Sequence, residues 1–71
     1  MSEIVSAEMV ASVWKVVVDV GDTVEEDEPL AILESMKMEI PVLATIAGTV
    51  SELFVSPGDI VQAGADIARI D

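Results

Sequence analysis

Two lysines occur in the chain, and one of them, Lys37, lies in the stretch ESMKMEI. The amine of a lysine can be acylated to give a stable amide, so Lys37 is the first candidate for chemistry. An exposed lysine amine is nearly all protonated at neutral pH and is therefore a poor nucleophile. The neighbouring residues supply neither an apolar pocket nor a second cation to activate it. We therefore expect Lys37 to be the substrate of another protein's catalyst.

Methionines flank this lysine on both sides, as Met36 and Met38. If the segment is a turn between strands, Gly, Asn or Asp would be the ordinary residues there. Two apolar side chains at a turn favour contact with a partner protein. The alternative, stronger for Met38 than for Met36, is that a methionine folds back and caps the core.

Composition removes most other kinds of chemistry. The chain of 71 residues has no cysteine and no histidine, so disulfides, thiolates, the commonest zinc ligands and the usual general base are excluded. Its formal net charge of -11 opposes binding to nucleic acid and to anionic membranes, and it favours a monomer through repulsion between copies. We predict no catalytic residue and no metal site.

The N-terminal residues lack the basic and apolar regions of a signal peptide, and no later segment is long and apolar enough to span a membrane. We therefore expect a cytoplasmic protein. The 52% apolar content, arranged in strand-like runs, indicates a folded domain rather than a disordered acidic chain.

The sequence repeats itself with a shift of 37 residues. The shift superimposes Gly21-Asp22 on Gly58-Asp59 and pairs many apolar positions, such as Val13 with Val50. Residues 1–34 and 38–71 therefore read as two copies of one unit, joined by Ser35, Met36 and Lys37. Chance similarity between valine-rich strands is the alternative.

Each copy has the chemistry of β-strands. A β-branched run, 12–18 or 49–55, is followed by a glycine turn, a short strand, a second turn and a last strand. Short strands at regular spacing predict an all-β fold, a small sandwich or flattened barrel with pseudo-two-fold symmetry. Pro41 cannot donate a backbone hydrogen bond, so residues 38–44 should form an edge strand or leave that position unpaired. The symmetry places Lys37 at a hairpin tip, at the end of the molecule opposite the chain termini.

At this point ESMKMEI resembles the biotin attachment motif of biotin carboxyl carrier domains, in which Met-Lys-Met forms a hairpin and the central lysine is biotinylated. Ser35 replaces the usual alanine before the triplet. The turns VGDTV and SPGDIV and the segment AGTV extend the resemblance over the whole chain. The sequence as a whole most resembles stand-alone bacterial biotin/lipoyl attachment proteins, including small biotinylated proteins of actinobacteria.

The resemblance implies a single biotinyl-attachment domain over residues 1–71. Its fold would be a flattened β-barrel, or barrel-sandwich hybrid, of two four-stranded antiparallel sheets with quasi-two-fold symmetry. It implies covalent biotin on Lys37, attached by a biotin protein ligase that recognises Glu34, Met36, Met38 and Glu39. The further partners implied are biotin carboxylase and carboxyltransferase subunits, between which the carrier delivers carboxylate. The path between the first two long strands is too short for the thumb loop of some acetyl-CoA carboxylase carriers.

Three other interpretations are open. Lipoyl domains resemble this fold, although their lysine commonly follows Asp and precedes Ala. An unmodified interaction module is the second, with Trp14 as a contact residue, but a lone Trp in a small β-domain more often packs in the core or lies half buried. An enzyme is the third and weakest, because the acidic run Glu25 to Glu28 is typical of a solvated turn.

Overall fold

The computed structural model describes residues 2–71, so the expected bounds of the domain and of its first repeat include one residue, Met1, that lies outside the described part. The described residues form eight β-strands. They are β1 (Glu3–Ser6), β2 (Ala11–Val16), β3 (Thr23–Val24), β4 (Pro29–Ser35), β5 (Met38–Leu43), β6 (Gly48–Leu53), β7 (Ile60–Val61) and β8 (Asp66–Ile70). No helix in this part of the chain is long and apolar enough to cross a membrane.

The strands form two four-stranded antiparallel sheets, with the orders β1-β8-β6-β3 and β5-β4-β2-β7. Exchanging each strand of the first half with its counterpart in the second (β1 with β5, β2 with β6, β3 with β7, β4 with β8) converts one order into the other. The predicted all-β architecture of two such sheets with quasi-two-fold symmetry is confirmed.

The hydrophobic core lies between the sheets, and it obeys the same symmetry. Each buried apolar residue of one half has a buried partner 37 positions away, except Ala11 and Val18. The pairs are Val5 with Val42, Ala7 with Ala44, Val13 with Val50, Val24 with Val61, Leu30 with Ile67, Ala31 with Ala68, and Leu33 with Ile70. The repeat in the sequence therefore records the two inner faces of the barrel.

Equivalent turns close the first part of each half. Gly21 and Gly58 have φ of 99° and 95°, the left-handed region that glycine enters without steric cost. In each turn an aspartate side chain accepts a backbone N–H from the residue three positions earlier, Asp19 to Asp22 at 2.9 Å and Ser56 to Asp59 at 2.8 Å. The predicted glycine turns are confirmed.

Gly48 lies at the start of β6 and not in a turn. A Cβ atom there would collide with the carbonyl oxygen of Asp71 and crowd the side chain of Ile70. Glycine at this position therefore allows the last residue of the chain to approach β6 closely. Its counterpart in the first half, Ala11, is buried and tolerates a methyl group.

The Lys37 hairpin and the chain end lie at opposite ends of the molecule, which measures 33 × 19 × 18 Å. Asp71 exchanges two hydrogen bonds with Thr49, at 2.9 and 2.8 Å, and Thr49 pairs with Thr23. The turn after β3 is joined to the chain just after β5, at the end away from the hairpin, since the N–H of Asp27 donates to the carbonyl of Ala44 at 2.8 Å. Six residues of strand, about 20 Å, separate that point from the hairpin tip. β5 is an edge strand, as Pro41 predicts.

The paired core gives a prediction about stability. Leu30 has no exposed surface, so Leu30→Ala should lower the free energy of unfolding by about 2 to 5 kcal/mol, measured by urea denaturation. Ile4→Ala is the control: Ile4 is 50% exposed, and its replacement should change the free energy of unfolding by less than about 0.5 kcal/mol. Equal losses in the two variants would contradict this placement of the core.

Candidate functional site

The hairpin between β4 and β5 reverses the chain with two residues. Its strands pair continuously toward the tip, ending with Ser35 opposite Met38, so that Met36 and Lys37 alone form the turn. Both turn residues have positive φ, 50° and 66°. Positive φ at both central positions is the signature of a type I′ turn, whose twist matches that of the flanking strands.

The sequence of this turn disagrees with its geometry. Type I′ turns prefer Asn-Gly or Asp-Gly, since other residues crowd their own backbone in the left-handed region at a cost on the order of 1 kcal/mol each. Met36 and Lys37 both bear that cost. The backbone gains nothing from a Met-Lys pair here, so the conformation of the turn does not account for these two residues.

Both methionines point into solvent. Met36 is 92% exposed and Met38 is 64% exposed. The alternative in which a methionine folds back onto the core is therefore wrong for each. Two exposed thioether side chains beside one amine form a small apolar surface, which is adaptable in shape and suited to burial against another protein.

The three cations of the chain occupy different environments. Arg69 forms ion pairs with Glu52 at 3.0 Å and Asp71 at 3.5 Å. The ammonium of Lys15 lies 4.5 Å from the centre of the Trp14 ring, in a cation–π contact. Lys37 is exposed at the tip and, within residues 2–71, takes part in neither kind of contact. Its amine is the one that can enter another protein's active site without breaking an existing interaction.

Glu34 and Glu39 face each other directly across β4 and β5, and both are exposed. Like charges in opposite positions of an antiparallel pair are destabilising. This pair lies next to the last pair of the hairpin, Ser35 opposite Met38, on the side away from the turn. The two glutamates therefore form a negative patch just below the hairpin tip. Of the predicted recognition residues, the structure brings all four together around Lys37.

Trp14 lies half buried at the surface, which is one of the two placements expected of a lone Trp, and it does not pack in the core. The register of β2 against β4 shifts between Val13 and Lys15, which makes Trp14 the extra residue of a β-bulge. Its side chain is 47% exposed. The bulge itself was not predicted, because a one-residue shift between strands leaves no mark in the pattern of residue types.

The acidic run Glu25 to Glu28 forms the turn after β3, as predicted. Its last carboxylate accepts the backbone N–H of Glu25 at 3.2 Å, and Glu28 also holds Ala44 by its carbonyl at 2.9 Å. The run thus fastens the end of β5 that lies away from the hairpin.

Comparison with known proteins shows where similar chains occur. The family model described as "Biotin-requiring enzyme" matches residues 2–70. The chain is 59% identical over 70 residues to the "Biotinylated protein TB7.3 homolog" of Mycobacterium leprae, covering 99% of both. It is 52% identical over 64 residues to the "Biotin carboxyl carrier protein" of Streptococcus mutans, covering 90% of this chain and about half, 49%, of that protein.

A solved structure shows the same fold. The Kluyveromyces lactis urea carboxylase superimposes with a TM-score of 0.94 at 38% identity, covering all of this chain and 6% of that one. The match therefore concerns one small domain of a large enzyme.

The strained turn predicts that Lys37→Gly raises stability. Glycine adopts positive φ without steric cost, so the free energy of unfolding should rise by about 1 kcal/mol, measured by urea denaturation. Asp27→Gly tests the same effect at a second residue, whose φ is 69°. Lys15→Gly is the contrasting control, because Lys15 lies within a strand and glycine there should lower stability. A Lys37→Gly variant less stable than the unaltered protein would refute the argument.

Proposed function

This chain belongs to the biotin/lipoyl attachment family, and from that premise we propose that biotin is joined by an amide bond to the ε-amine of Lys37. The observation that carries the proposal is the two-residue turn, which holds a lysine at the tip of the hairpin although glycine would suit the backbone better. The protein is a modified carrier and not an enzyme.

The attachment step asks little of the chain beyond access. The neutral amine of Lys37 attacks the carbonyl carbon of biotinyl-adenylate, a C–N bond forms, AMP departs with the electrons of the C–O bond, and the amine loses a proton. The ligase supplies the activated acyl group and removes the proton. The hairpin supplies an amine that fits a deep, narrow site, because only two residues form the turn and both flanking methionines are exposed.

We propose that Glu34, Met36, Met38 and Glu39 are the residues by which a biotin protein ligase recognises the hairpin. The two methionines offer apolar surface to the ligase, and the two glutamates offer negative charge to a basic surface. The direct opposition of Glu34 and Glu39 supports this, because the repulsion between them costs stability that a fold alone would not retain.

The loaded protein would serve carboxylases. Bound biotin supplies a ureido ring that accepts carboxylate at one active site and gives it up at another. The chain contributes a rigid barrel and the flexible stem of Lys37, which lets the ring move relative to the barrel. The chain spans about half, 49%, of the streptococcal carrier and 6% of the urea carboxylase. The service to a carboxylase is therefore proposed for this chain from its biotin site and not from the activity of those longer proteins. With a net charge of -11, we expect the carrier to be a monomer.

The attachment site is tested by Lys37→Arg. Incubation with a biotin protein ligase, biotin and ATP should add one biotinoyl group to the unaltered protein, seen by intact mass and by streptavidin binding. Lys37→Arg keeps the charge but should show neither signal, since a guanidinium is not acylated under these conditions. Lys15→Arg should be loaded normally.

Loading of Lys37→Arg, or loss of loading in Lys15→Arg, would overturn the assignment of the site. Incubation with a lipoate ligase and lipoate is the parallel arm. Addition of lipoate to Lys37 in place of biotin would show that the chain is a lipoyl carrier.

The opposed glutamates predict a trade-off between stability and recognition. Glu34→Gln and Glu39→Gln should each raise the free energy of unfolding by about 0.2 to 1 kcal/mol, because each removes one like-charge contact. Each should also lower kcat/KM for biotinylation several-fold, and added salt should reduce the difference from the unaltered protein. Glu26→Gln makes the same charge change in the distant turn after β3 and should leave kcat/KM unchanged. Equal effects at Glu26 would attribute the loss to net charge alone.

A further inference from the structure

The two-fold symmetry provides a comparison within the molecule. A shift of 37 residues superimposes the outer face of the sheet β5-β4-β2-β7, which carries the Lys37 hairpin, on the outer face of the sheet β1-β8-β6-β3, which does not. The scaffold makes the same structural demands on both faces. Differences between equivalent positions therefore reflect something other than folding.

The outer face of the sheet without the hairpin is polar around the bulge of β6, although Ile4 and Phe54 are exposed elsewhere on it. Ser51, the bulge residue of β6, donates its hydroxyl hydrogen bond to the carbonyl of Arg69 at 3.2 Å. The guanidinium of Arg69 reaches Glu52 at 3.0 Å, an ion pair across neighbouring strands. On the edge strand β3, Thr23 is exposed. Ser51, Glu52 and Arg69 on this face thus interact with one another.

The hairpin-bearing sheet has large apolar residues at the equivalent positions. Trp14 stands where the other face has Ser51, Ile32 where it has Arg69, and Ile60 where it has Thr23. Trp14 is 47% exposed and Ile60 is 70% exposed, while Ile32 is partly buried beside Lys15. We call the surface formed by Trp14, Ile32 and Ile60 the Trp14 face. The difference is reversed at two positions, where Pro41 is the counterpart of Ile4 and Val17 is the counterpart of Phe54.

The Trp14 face is continuous with the attachment site. Ile60 lies opposite Ser12 on the neighbouring strand, and Ser12 lies opposite Glu34, which begins the negative patch of the hairpin. Lys15 lies opposite Ile32 with its ammonium over the Trp14 ring. An unbroken surface therefore runs from Trp14 through the opposed glutamates to the exposed methionines.

We propose that the Trp14 face is a second docking surface for biotin protein ligase, which extends the proposed recognition of the hairpin and rests on it. Acylation takes place at Nζ of Lys37, within one side-chain length of the barrel, so the ligase must approach the sheet closely. A specific interface covers about 800 Å² on each partner, more than a two-residue turn offers, so the ligase must extend onto neighbouring surface. A carboxylase, in contrast, acts on the far end of the biotin arm and can stand further away.

The face also defines the chemistry of its partner. A half-exposed Trp beside an exposed Ile is suited to an apolar pocket, in which such residues supply much of the binding energy. The charge nearest Trp14 is the Lys15 ammonium over its ring, whereas the charge toward the hairpin is negative, from Glu34 and Glu39. The ligase surface opposite should be an apolar depression with a basic rim toward the hairpin.

The test replaces the face by its own symmetry counterparts. Trp14→Ser and Ile60→Thr introduce the residues that the same scaffold already carries at 51 and 23. Steady-state biotinylation of the purified apo protein should show kcat/KM lowered about tenfold for Trp14→Ser and several-fold for Ile60→Thr. The rate at saturating carrier should stay within about twofold, because Lys37 and its turn are intact. Ile4→Thr is the matched control on the other sheet and should leave kcat/KM unchanged.

The possible results separate the inference from the proposed function. Unchanged kcat/KM for Trp14→Ser, or an equal fall for Ile4→Thr, would overturn the docking surface and leave Lys37 as the attachment site. Normal loading combined with slower carboxylation of the biotinylated variant would assign the face to a carboxylase, and so also overturn it. An unaltered protein that takes no biotin would refute both proposals. Urea denaturation of each variant checks that a fall in kcat/KM does not come from unfolding.

Discussion

The backbone of the two-residue turn is the constraint on which the site depends. The last pair of the hairpin, Ser35 opposite Met38, leaves only Met36 and Lys37 to reverse the chain, and this forces both into the left-handed region. The fold tolerates this backbone strain because five further residue pairs of β4 with β5 hold the strands in register. The core beneath these strands includes the fully buried Leu33. The packed barrel therefore holds the turn in a backbone conformation that Met36 and Lys37 disfavour.

Two-fold symmetry explains how so short a chain builds a barrel stable enough to hold the strained turn. A domain of 71 residues buries a smaller fraction of its surface than a larger one and is correspondingly marginal. Here the two halves pack their inner faces in the same way, with Leu30 and Ile67 at equivalent buried positions. Gly21 and Gly58 form equivalent turns. The connection between the halves lies outside the repeated unit, and it is this segment that carries Lys37.

The inner face was predictable from the sequence, whereas much of the outer face was not. Burial repeats every second residue along strands such as β2 and every 37 residues along the chain, so Val13 and Val50 reveal their positions by type and spacing. Pro41 revealed an edge strand because it lacks an N–H to donate. The bulge at Trp14 left no such signal, because a register shift depends on how two strands meet. Likewise, the direct opposition of Glu34 and Glu39 follows from the register of the hairpin, which only the structure fixes.

The same symmetry also separates residues kept for folding from residues kept for function. Where equivalent positions agree, as at Ala31 and Ala68, both of which have no exposed surface, the barrel itself requires the residue. Where they differ, the barrel tolerates either, as it tolerates both Trp14 and Ser51 at its two bulges. About half of the Trp14 side chain is exposed, and its contact with Lys15 is absent from the other half, where the same scaffold accepts serine. The proposed docking of a ligase beside Lys37 accounts for this difference between the two halves.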